Sequence, residues 1–423
     1  MKTLVFLCVA LSILGLAVTE KKIVCYHGTW SYYRQGNGKF GVAQIDPFLC
    51  THLVYTFFGI SSEGGIRILD PYLDLDENYG LGNIRKFNEL KKVNPKLKTI
   101  AGVGGWNEGS VTFSQVVNDP RKRQNFVKNS LEFLKKYNFN GLDVDWEYPA
   151  QRGGNQEKDK EAYTLLLKEL SEFLHPKGYS LSAAVASAEF SAKISYNIAE
   201  VSKYLDFIGV MTYDLHGSWD PKIGNNAPLY AGSWEQTELE KQLNVDAAIK
   251  YWLSNGGAPE KLLLGVPLYG RGFAICSVLH KDDQWIGFDD EKSIKFKSNY
   301  VNSHNLGGVI VWSIETDDFR GFCGRGTFPL LKELNASLLG NNHTWTPPST
   351  STTEWNPNLT STTKPPPILP SPECTEDGYF RDPNDCSVFH QCINGTQYTF
   401  FCPHGLVFDP AIIACNWPHL VQC

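Results

Sequence analysis

The strongest constraint on the fold is a series of eight short apolar runs, rich in Val, Ile, Tyr and Phe. Polar segments with helical spacing of their apolar residues separate several runs, as at 120–138 and 159–174. Apolar strands that alternate with helices indicate a parallel sheet buried on both faces. Eight such units in about 300 residues are typical of a TIM (β/α)8 barrel, an α/β fold. The runs are 22–28, 52–60, 98–106, 141–149, 180–187, 207–214, 262–270 and 307–314.

Regions of different composition flank this series. Residues 1–19 combine Lys2 with an apolar run and small residues near its end, which predicts a signal peptide; a buried N-terminal strand is the alternative. Residues 341–372 contain 8 Pro and 12 Ser or Thr among 32 residues, so we expect an extended linker. Six of the 11 Cys crowd into 373–423, which indicates a small disulfide-rich module. The main domain then spans 20–340.

Charge and apolar content exclude some classes of function. Lys and Arg number 39 against 45 Asp and Glu, a formal net charge of −6, which argues against nucleic-acid partners. No run after the leader approaches the ~20 residues of a membrane span. A doubly wound open sheet is the alternative to the barrel, but no G-x-G-x-x-G motif opens the first unit. Candidate N-glycosylation sequons begin at Asn335, Asn342, Asn358 and Asn394.

Aromatic and polar residues stand together where the runs end. In a barrel the carboxyl ends of the strands build the site. Sugars present apolar ring faces with a rim of hydroxyls and amides, so this pairing suits a glycan groove. One such aromatic is more often a core residue, but the pattern recurs at seven ends. The ends carry Tyr26 and His27, Phe57 and Phe58, Trp106 and Asn107, Asp145 to Tyr148, Met211 to Asp214, Tyr269 to Arg271, and Trp312 and Ser313.

The run NGLDVDWEYP, residues 140–149, contains three alternate acids. The period of two along a strand predicts that Asp143, Asp145 and Glu147 point into the barrel. Three buried like charges must share protons or hydrogen bonds, so we expect the pKa of at least one carboxyl group to be raised. A carboxyl group that stays protonated near neutral pH can act as a general acid. A solvated charge run and a Ca²⁺ or Mg²⁺ site are the alternatives. The other face of the strand takes Leu142, Val144, Trp146 and Tyr148.

On these residues, 22–335 resembles the catalytic domain of glycoside hydrolase family 18, the chitinase family. The family's acidic signature D-x-x-D-x-D-x-E appears here with Asn140 in the first place and Asp143, Asp145 and Glu147 in the others. Further matches are GGWN at 104–107, MTYDLHGSWD at 211–220, LYGRGF at 268–273 and VWSIETDDFRG at 311–321.

The resemblance implies substrate-assisted retaining hydrolysis, an exception to the two-carboxylate scheme. Glu147 would protonate the glycosidic oxygen while the substrate's N-acetyl carbonyl attacks the anomeric carbon. Asp145 would bond the acetamido N–H, Asp143 would share a proton with Asp145, and Tyr213 would hold the acetamido oxygen. No metal or organic cofactor is implied. The implied substrate-binding residues are Tyr26, Phe57, Gly104, Trp106, Met211, Asp214, Tyr269, Arg271 and Trp312.

The chain departs from the family pattern in two places. Asn140 replaces the outermost acid, farthest from Glu147. Members of this type usually carry an α+β insertion after the seventh strand. In this chain 268–274 runs directly into 275–290, and 275–290 resembles only the final part of that insertion. We therefore expect a shortened wall on the groove. The family's disulfides imply the pairs Cys25–Cys50 and Cys276–Cys323.

The C-terminal cysteines follow the spacing C-x11-C-x5-C-x9-C-x12-C-x7-C, which by itself leaves the connectivity open. A zinc module is the rival, but no C-x2-C pair is present. The segment resembles a peritrophin-A type chitin-binding module, with Tyr379, Phe389 and Trp417 as candidates for sugar stacking. That resemblance implies the pairs Cys374–Cys392, Cys386–Cys423 and Cys402–Cys415.

These features together predict a secreted, extracellular, monomeric endo-acting chitinase that binds chitin and chito-oligosaccharides. A catalytically weak or inactive chitin-binding lectin is the main alternative, because most of the insertion wall is missing. An endo-β-N-acetylglucosaminidase acting on N-glycans is a third hypothesis, disfavoured by the C-terminal module.

Overall fold

The computed structural model describes residues 20–220, 222–274, 284–340, 378–383, 385–393, 396–402, 407–410, 414–416 and 421. It divides the chain into two compact units, Met1–Pro347 and Pro348–Cys423. The signal peptide predicted at 1–19 and the linker predicted at 341–372 lie outside the described residues.

The eight apolar runs form eight parallel strands. Each strand pairs with the next in the chain, and the last pairs back onto the first, so the sheet closes into a barrel. The predicted TIM barrel is therefore confirmed. The strands are β1 (Lys22–Gly28), β2 (His52–Ile60), β3 (Lys98–Gly104), β4 (Gly141–Asp145), β5 (Ser180–Ala186), β6 (Phe207–Met211), β7 (Leu262–Pro267) and β8 (Gly308–Trp312).

Helices surround the barrel, and the two predicted from spacing are present. The helix Pro120–Tyr137 begins where Asp119 accepts hydrogen bonds from the backbone of Arg121 and Lys122, and it ends at Asn138 in the left-handed conformation. The helices are Pro71–Asp74, Asn83–Val93, Val111–Asn118, Pro120–Tyr137, Asp159–Leu174, Glu189–Ser195, Ile198–Tyr204, Glu238–Gln242, Val245–Ser254, Glu291–Ser303 and Pro329–Leu339.

Side chains of the strands alternate between two apolar layers. Leu142 and Val144 of β4 belong to the layer between sheet and helices. Tyr26, Met211 and Ile310 belong to a smaller cluster of inward-facing side chains from several strands. Asp143, between Leu142 and Val144, is fully buried. The alternation predicted for β4 therefore holds within the strand.

A two-stranded antiparallel ribbon follows β7. Arg271–Ala274 pairs with Gln284–Gly287, while 275–283 lie outside the described residues. The stretch between β7 and the next helix, Glu291–Ser303, is thus short, as expected for a reduced insertion.

The predicted Cys25–Cys50 disulfide is present and joins β1 to the segment before β2. Cys323 is exposed and forms no disulfide with another described residue, and its predicted partner Cys276 lies outside the described residues. The structure thus does not contain the Cys276–Cys323 pair among its described residues, and that pair stays a prediction.

One candidate glycosylation site is wrong for the folded chain. Asn335 is 1% exposed, and its side-chain amide donates hydrogen bonds to the backbone carbonyls of Phe48 and Leu49. A glycan on that nitrogen would replace one of its two hydrogens, so one of these bonds would be lost, and the buried site leaves the sugar no room. Asn342, Asn358 and Asn394 lie outside the described residues.

The second unit contains a three-stranded antiparallel sheet, Gly378–Arg381, Val388–Ile393 and Thr396–Phe401, and a ribbon of Val407–Asp409 with Ala414–Asn416. Cys386, Cys392 and Cys402 are disulfide-bonded. Of their predicted partners, Cys374 and Cys423 lie outside the described residues and Cys415 is described in its backbone alone, so the pairing stays a prediction.

Candidate active site

Asp143 lies in the middle of β4 and is fully buried inside the barrel. Its carboxylate accepts hydrogen bonds from the Tyr26 hydroxyl at 3.0 Å and from the Ser182 hydroxyl at 2.5 Å. Both bonds favour the ionised form, but burial has the larger effect and raises the pKa of Asp143 to about 6.

Asp145 ends β4 and is 2% exposed. Burial raises its pKa well above the usual range, and the neighbouring carboxylates of Glu147 and Asp143 raise it further. Its Oδ1 atom is buried and has no hydrogen-bond partner among the described residues. A buried acceptor without a donor is costly, so this atom suits a donor brought by a ligand.

Glu147 follows β4 and is half-buried. Burial raises its pKa to about 7; Tyr148 and Arg152 oppose this effect, while Asp214 adds to it. A carboxylic acid with this pKa is substantially protonated at neutral pH and can donate a proton.

The strand ends at Asp145, so the period of two does not extend to the residues that follow. Trp146 packs in the outer layer as predicted, but Tyr148 also packs against the inner cluster. The prediction that Tyr148 faces away from the barrel interior is therefore wrong. Cis peptide bonds join Thr56 to Phe57, Glu147 to Tyr148 and Trp312 to Ser313.

Aromatic rings line the mouth of the barrel between β1, β2 and β8. The Trp312 ring centroid lies 5.7 Å from that of Tyr26 and 5.8 Å from that of Phe57, to which it is stacked. Trp30, on the segment after β1, is 44% exposed and lies 6.0 Å from Trp312 and 6.2 Å from Phe57. These rings provide a continuous apolar floor.

A polar cluster lies across the mouth, at the ends of β6 and β7. Asp214 accepts hydrogen bonds from the Tyr269 hydroxyl at 2.6 Å and from Arg271 Nε at 2.7 Å. Buried Asn226 accepts from the Asp214 backbone N–H at 2.8 Å and donates to the Tyr269 carbonyl at 3.1 Å. Tyr213 is buried beside Tyr269, with ring centroids 6.4 Å apart.

Gly104 and Trp106 bring the end of β3 to the same place. Gly104 has φ +120°, and a Cβ there would lie 2.1 Å from the carbonyl oxygen of Asp145, so only glycine fits. The adjacent Gly105 N–H donates to that carbonyl at 2.7 Å. Trp106 is 56% exposed at the rim.

The structure thus brings the predicted barrel residues to one end of the barrel. Tyr26, Asp143, Asp145, Met211 and Tyr213 are buried, whereas Trp106 and Asp214 are exposed. Those half-buried are Phe57, Glu147, Tyr269, Arg271 and Trp312. No group of three or more potential metal ligands clusters among the residues that the structure describes.

Of the three predicted sugar-stacking residues of the second unit, the structure describes the side chain of Phe389. The Phe389 ring is half-buried and stacks on buried Phe408, with centroids 4.4 Å apart. Trp417 lies outside the described residues, and Tyr379 is described in its backbone alone.

Sequence reasoning missed several residues that shape this site. Trp30 stands three residues beyond a strand end that already showed the aromatic pattern, and that signal could have found it. Arg152, Asn226, Ser182 and Glu315 carry no such signal. Glu315 is buried and accepts from the Gly28 N–H at 3.1 Å and the Ser313 hydroxyl at 2.6 Å, tying β1 to β8.

Comparison with known proteins shows the family. Residues 22–317 match the model of glycosyl hydrolases family 18, and residues 374–423 match the chitin binding Peritrophin-A domain. The Endochitinase of Manduca sexta is 30% identical over an alignment of 545 positions, which covers 96% of this chain and 97% of that protein.

Solved structures show the same relationship. The Group IV chitinase of Ostrinia furnacalis, in complex with allosamidin, is 44% identical with a TM-score of 0.73, covering 76% of this chain and 99% of that chain. Human YKL-39 is described as a pseudo-chitinase with retained chitooligosaccharide binding properties. It is 31% identical with a TM-score of 0.69, and the match covers 76% of this chain and 100% of that chain. The chain therefore belongs to family 18 of the glycosyl hydrolases and carries a C-terminal peritrophin-A domain.

Proposed function

We propose that this chain is a secreted, endo-acting chitinase that hydrolyses β-1,4-N-acetylglucosamine linkages by substrate-assisted retaining catalysis. Family membership, the three acids of β4 and the names of the relatives support the proposal. The observation that carries it is the pairing of a protonatable Glu147 with an unpartnered Asp145 oxygen two residues away along the chain.

The unpartnered Asp145 Oδ1 is suited to the acetamido N–H of an N-acetylglucosamine unit. That bond would satisfy the buried acceptor and would orient the acetamido carbonyl toward the anomeric carbon. Glu147 would protonate the leaving oxygen as the carbonyl attacks. The negative charge on Asp145 would stabilise the oxazolinium ion that forms, and Asp143, bonded to Tyr26 and Ser182, would share a proton with Asp145.

The aromatic residues suit a chain of sugar rings. Trp312 would form the base of the reacting subsite, and the rings of Tyr26, Phe57 and Trp30 pack around it. Trp106 and the Asp214–Arg271 pair flank Glu147 from other strands. A row of rings from the ends of several neighbouring strands favours binding along a polymer, which is the basis of the endo-acting proposal.

Secretion is proposed from the leader-like composition of 1–19 and from the disulfides of both units. Among the described residues, no helix has the length and apolar character needed to cross a bilayer. We further propose that the protein acts as a monomer on chitin and chito-oligosaccharides.

The test is release of N-acetylglucosamine oligomers from colloidal chitin by the purified protein and by Glu147→Gln. We expect the variant to lose hydrolysis by three orders of magnitude or more, about the share of a general acid, while still binding chito-oligosaccharides. Glu172→Gln, an exposed residue on the outer helix Asp159–Leu174, is the matched control and should keep wild-type activity. Turnover retained by Glu147→Gln would overturn the assignment.

A chitin-binding lectin is the second candidate, favoured by one observation. The wall after β7 is reduced to a short ribbon, and human YKL-39 shows that relatives can bind without cleaving. Binding of chito-oligosaccharides by the wild-type protein with no oligomer release would establish this candidate in place of the enzyme.

A further inference from the structure

Arg152 contacts two parts of the site at once. Its guanidinium stacks over the Trp106 indole, with the central carbon 3.6 Å from the ring centroid. Its Nη1 donates hydrogen bonds to the Trp106 carbonyl at 2.9 Å and to the Glu147 carbonyl at 2.8 Å. One nitrogen therefore ties the end of β3 to the segment that carries Glu147.

The stacking leaves Trp106 able to bind a ligand. The indole is 56% exposed although Arg152 covers one face, so the ring remains open on its other side. A guanidinium packed on one face of an indole restricts its rotation at an exposed site. A restricted ring loses less side-chain entropy when a sugar stacks on it.

The charge of Arg152 is also available to the site. Within the described part of the chain, Arg152 forms no ion pair with a carboxylate, and the two hydrogen bonds from its Nη1 go to neutral carbonyls. The groups that face Glu147 are Asp145 from β4, Tyr213 and Asp214 from the end of β6, Tyr196 from the segment after Glu189–Ser195, and Tyr148 and Arg152 from its own segment. Arg152 is the cation among them, and it opposes the effect of burial on the Glu147 pKa.

We propose that Arg152 is a positioning residue that fixes Trp106 as a sugar platform, holds it in register with Glu147, and lowers the upper pH limit of catalysis. This inference rests on the proposed function. It assigns two separable roles to one side chain: its planar stacking and paired hydrogen bonds position Trp106, and its charge acts on Glu147.

The test compares Arg152→Met and Arg152→Lys in the full chain, with soluble chito-oligosaccharides as substrate. In the wild type, kcat/KM should fall as pH rises through about 7, because Glu147 must be protonated to act. In Arg152→Met this fall should move to higher pH by about half a pH unit, the effect of one solvent-screened charge at the edge of the site. In Arg152→Lys the charge remains, so the limit should stay near the wild-type value.

The effect of each substitution on KM tests the positioning role. Both Arg152 variants should raise KM several-fold, because neither can stack flat on Trp106 while donating to two carbonyls. Trp106→Ala should raise KM by a similar factor without moving the pH limit. Adding Arg152→Met to Trp106→Ala should raise KM no further, since the two side chains act as one unit.

Controls separate this inference from the proposed function and from loss of fold. Arg121→Met, at an exposed position on an outer helix, should change neither the upper pH limit nor KM. Combining each Arg152 or Trp106 substitution with Glu147→Gln allows its effect on the affinity for chito-oligosaccharides to be measured without hydrolysis of the ligand. An unmoved pH limit in Arg152→Met, or strictly additive KM effects with Trp106→Ala, would overturn the Arg152 inference. Retained turnover by Glu147→Gln would instead overturn the proposed function.

Discussion

Asp143 shows how a single functional residue lowers stability. It receives two hydrogen bonds, yet burial still raises its pKa to about 6 from an unfolded value near 3.8. Between about pH 4 and 6 the folded chain therefore binds more protons at this residue than the unfolded chain does. The free energy of unfolding falls as pH rises through that window, and above it the full cost of a buried carboxylate is present.

Asp143→Asn should consequently stabilise the protein at neutral pH. The amide is close in shape, and the hydroxyls of Tyr26 and Ser182 can each donate or accept, so both contacts can persist. We expect the free energy of unfolding at pH 7 to rise by up to about 3 kcal/mol, and the gain to shrink toward pH 4. Urea denaturation at both pH values measures this.

Tyr26→Phe is the matched variant, because it keeps the buried carboxylate and removes one donor. It should be less stable than the wild type, and by more at pH 7 than at pH 4, because Asp143 loses a donor that favours its ionised form and its pKa rises further. Hydrolysis should fall in both Asp143→Asn and Tyr26→Phe, because the first removes the carboxyl group that would share a proton with Asp145 and the second changes the pKa of that group. A destabilised Asp143→Asn protein at pH 7 would contradict the cost assigned to burial.

At the scale of elements, one buried carboxylate anchors the segment between Glu147 and the helix Asp159–Leu174 to neighbouring parts of the domain. Asp159, the first residue of that helix, is fully buried. It accepts hydrogen bonds from the Ser114 hydroxyl and the Asn118 amide, each at 2.7 Å, and from the backbone of Asn155 at 2.7 Å and Ala150 at 3.2 Å. Its place at a helix N-terminus favours its negative charge.

We predict that Asp159→Asn destabilises the domain by about 3 kcal/mol, because a neutral amide cannot accept from four donors. We also expect kcat to fall, since the segment carries Glu147 and Arg152. Denaturation and oligosaccharide kinetics measure the two effects.

Asp119→Asn provides the comparison, because Asp119 also begins a helix but is only half-buried and lies far along the chain from Glu147. It should cost about 1 kcal/mol or less, the range of a helix cap, and leave kcat unchanged. Equal losses in the two variants would show that Asp159 is merely a cap.

The sequence could predict the elements but not their junctions. Apolar spacing predicted 159–174 as a helix and 120–138 to within one residue, because each pattern is local. The same reasoning extended the fourth run to 149, since Trp146 and Tyr148 continue an apolar alternation. In the structure β4 ends at Asp145, where its pairing with β3 ends.

The parts of the site that sequence reasoning missed are contacts between distant segments. Asn226 joins the ends of β6 and β7, and Glu315 joins β1 to β8. Neither has a local pattern, because the backbone groups they bind are defined by the closed barrel. Period and spacing cannot indicate such partners.

At the scale of the whole molecule, the chain combines a groove for a few sugars with a separate unit matched to a chitin-binding domain. The segment between them, 341–372, has a composition typical of an extended spacer. A tether of this kind raises the local concentration of an insoluble substrate without requiring any fixed arrangement of the two units.

Truncation after Gly340 should therefore separate two kinds of substrate. The barrel keeps its closed sheet, its Cys25–Cys50 disulfide and all the groove residues described above. We expect kcat/KM on soluble chito-oligosaccharides to be unchanged, and the rate on insoluble chitin at low loading to fall by about tenfold or more.

The deficit on insoluble chitin should also shrink as chitin loading rises, because a high substrate concentration replaces the effect of the tether. Rates on both substrates across a series of chitin loadings measure this, with thermal unfolding of the truncated chain as the control for its fold. An equal loss on soluble and insoluble substrates would mean that the C-terminal unit supports the barrel rather than delivering it to the polymer.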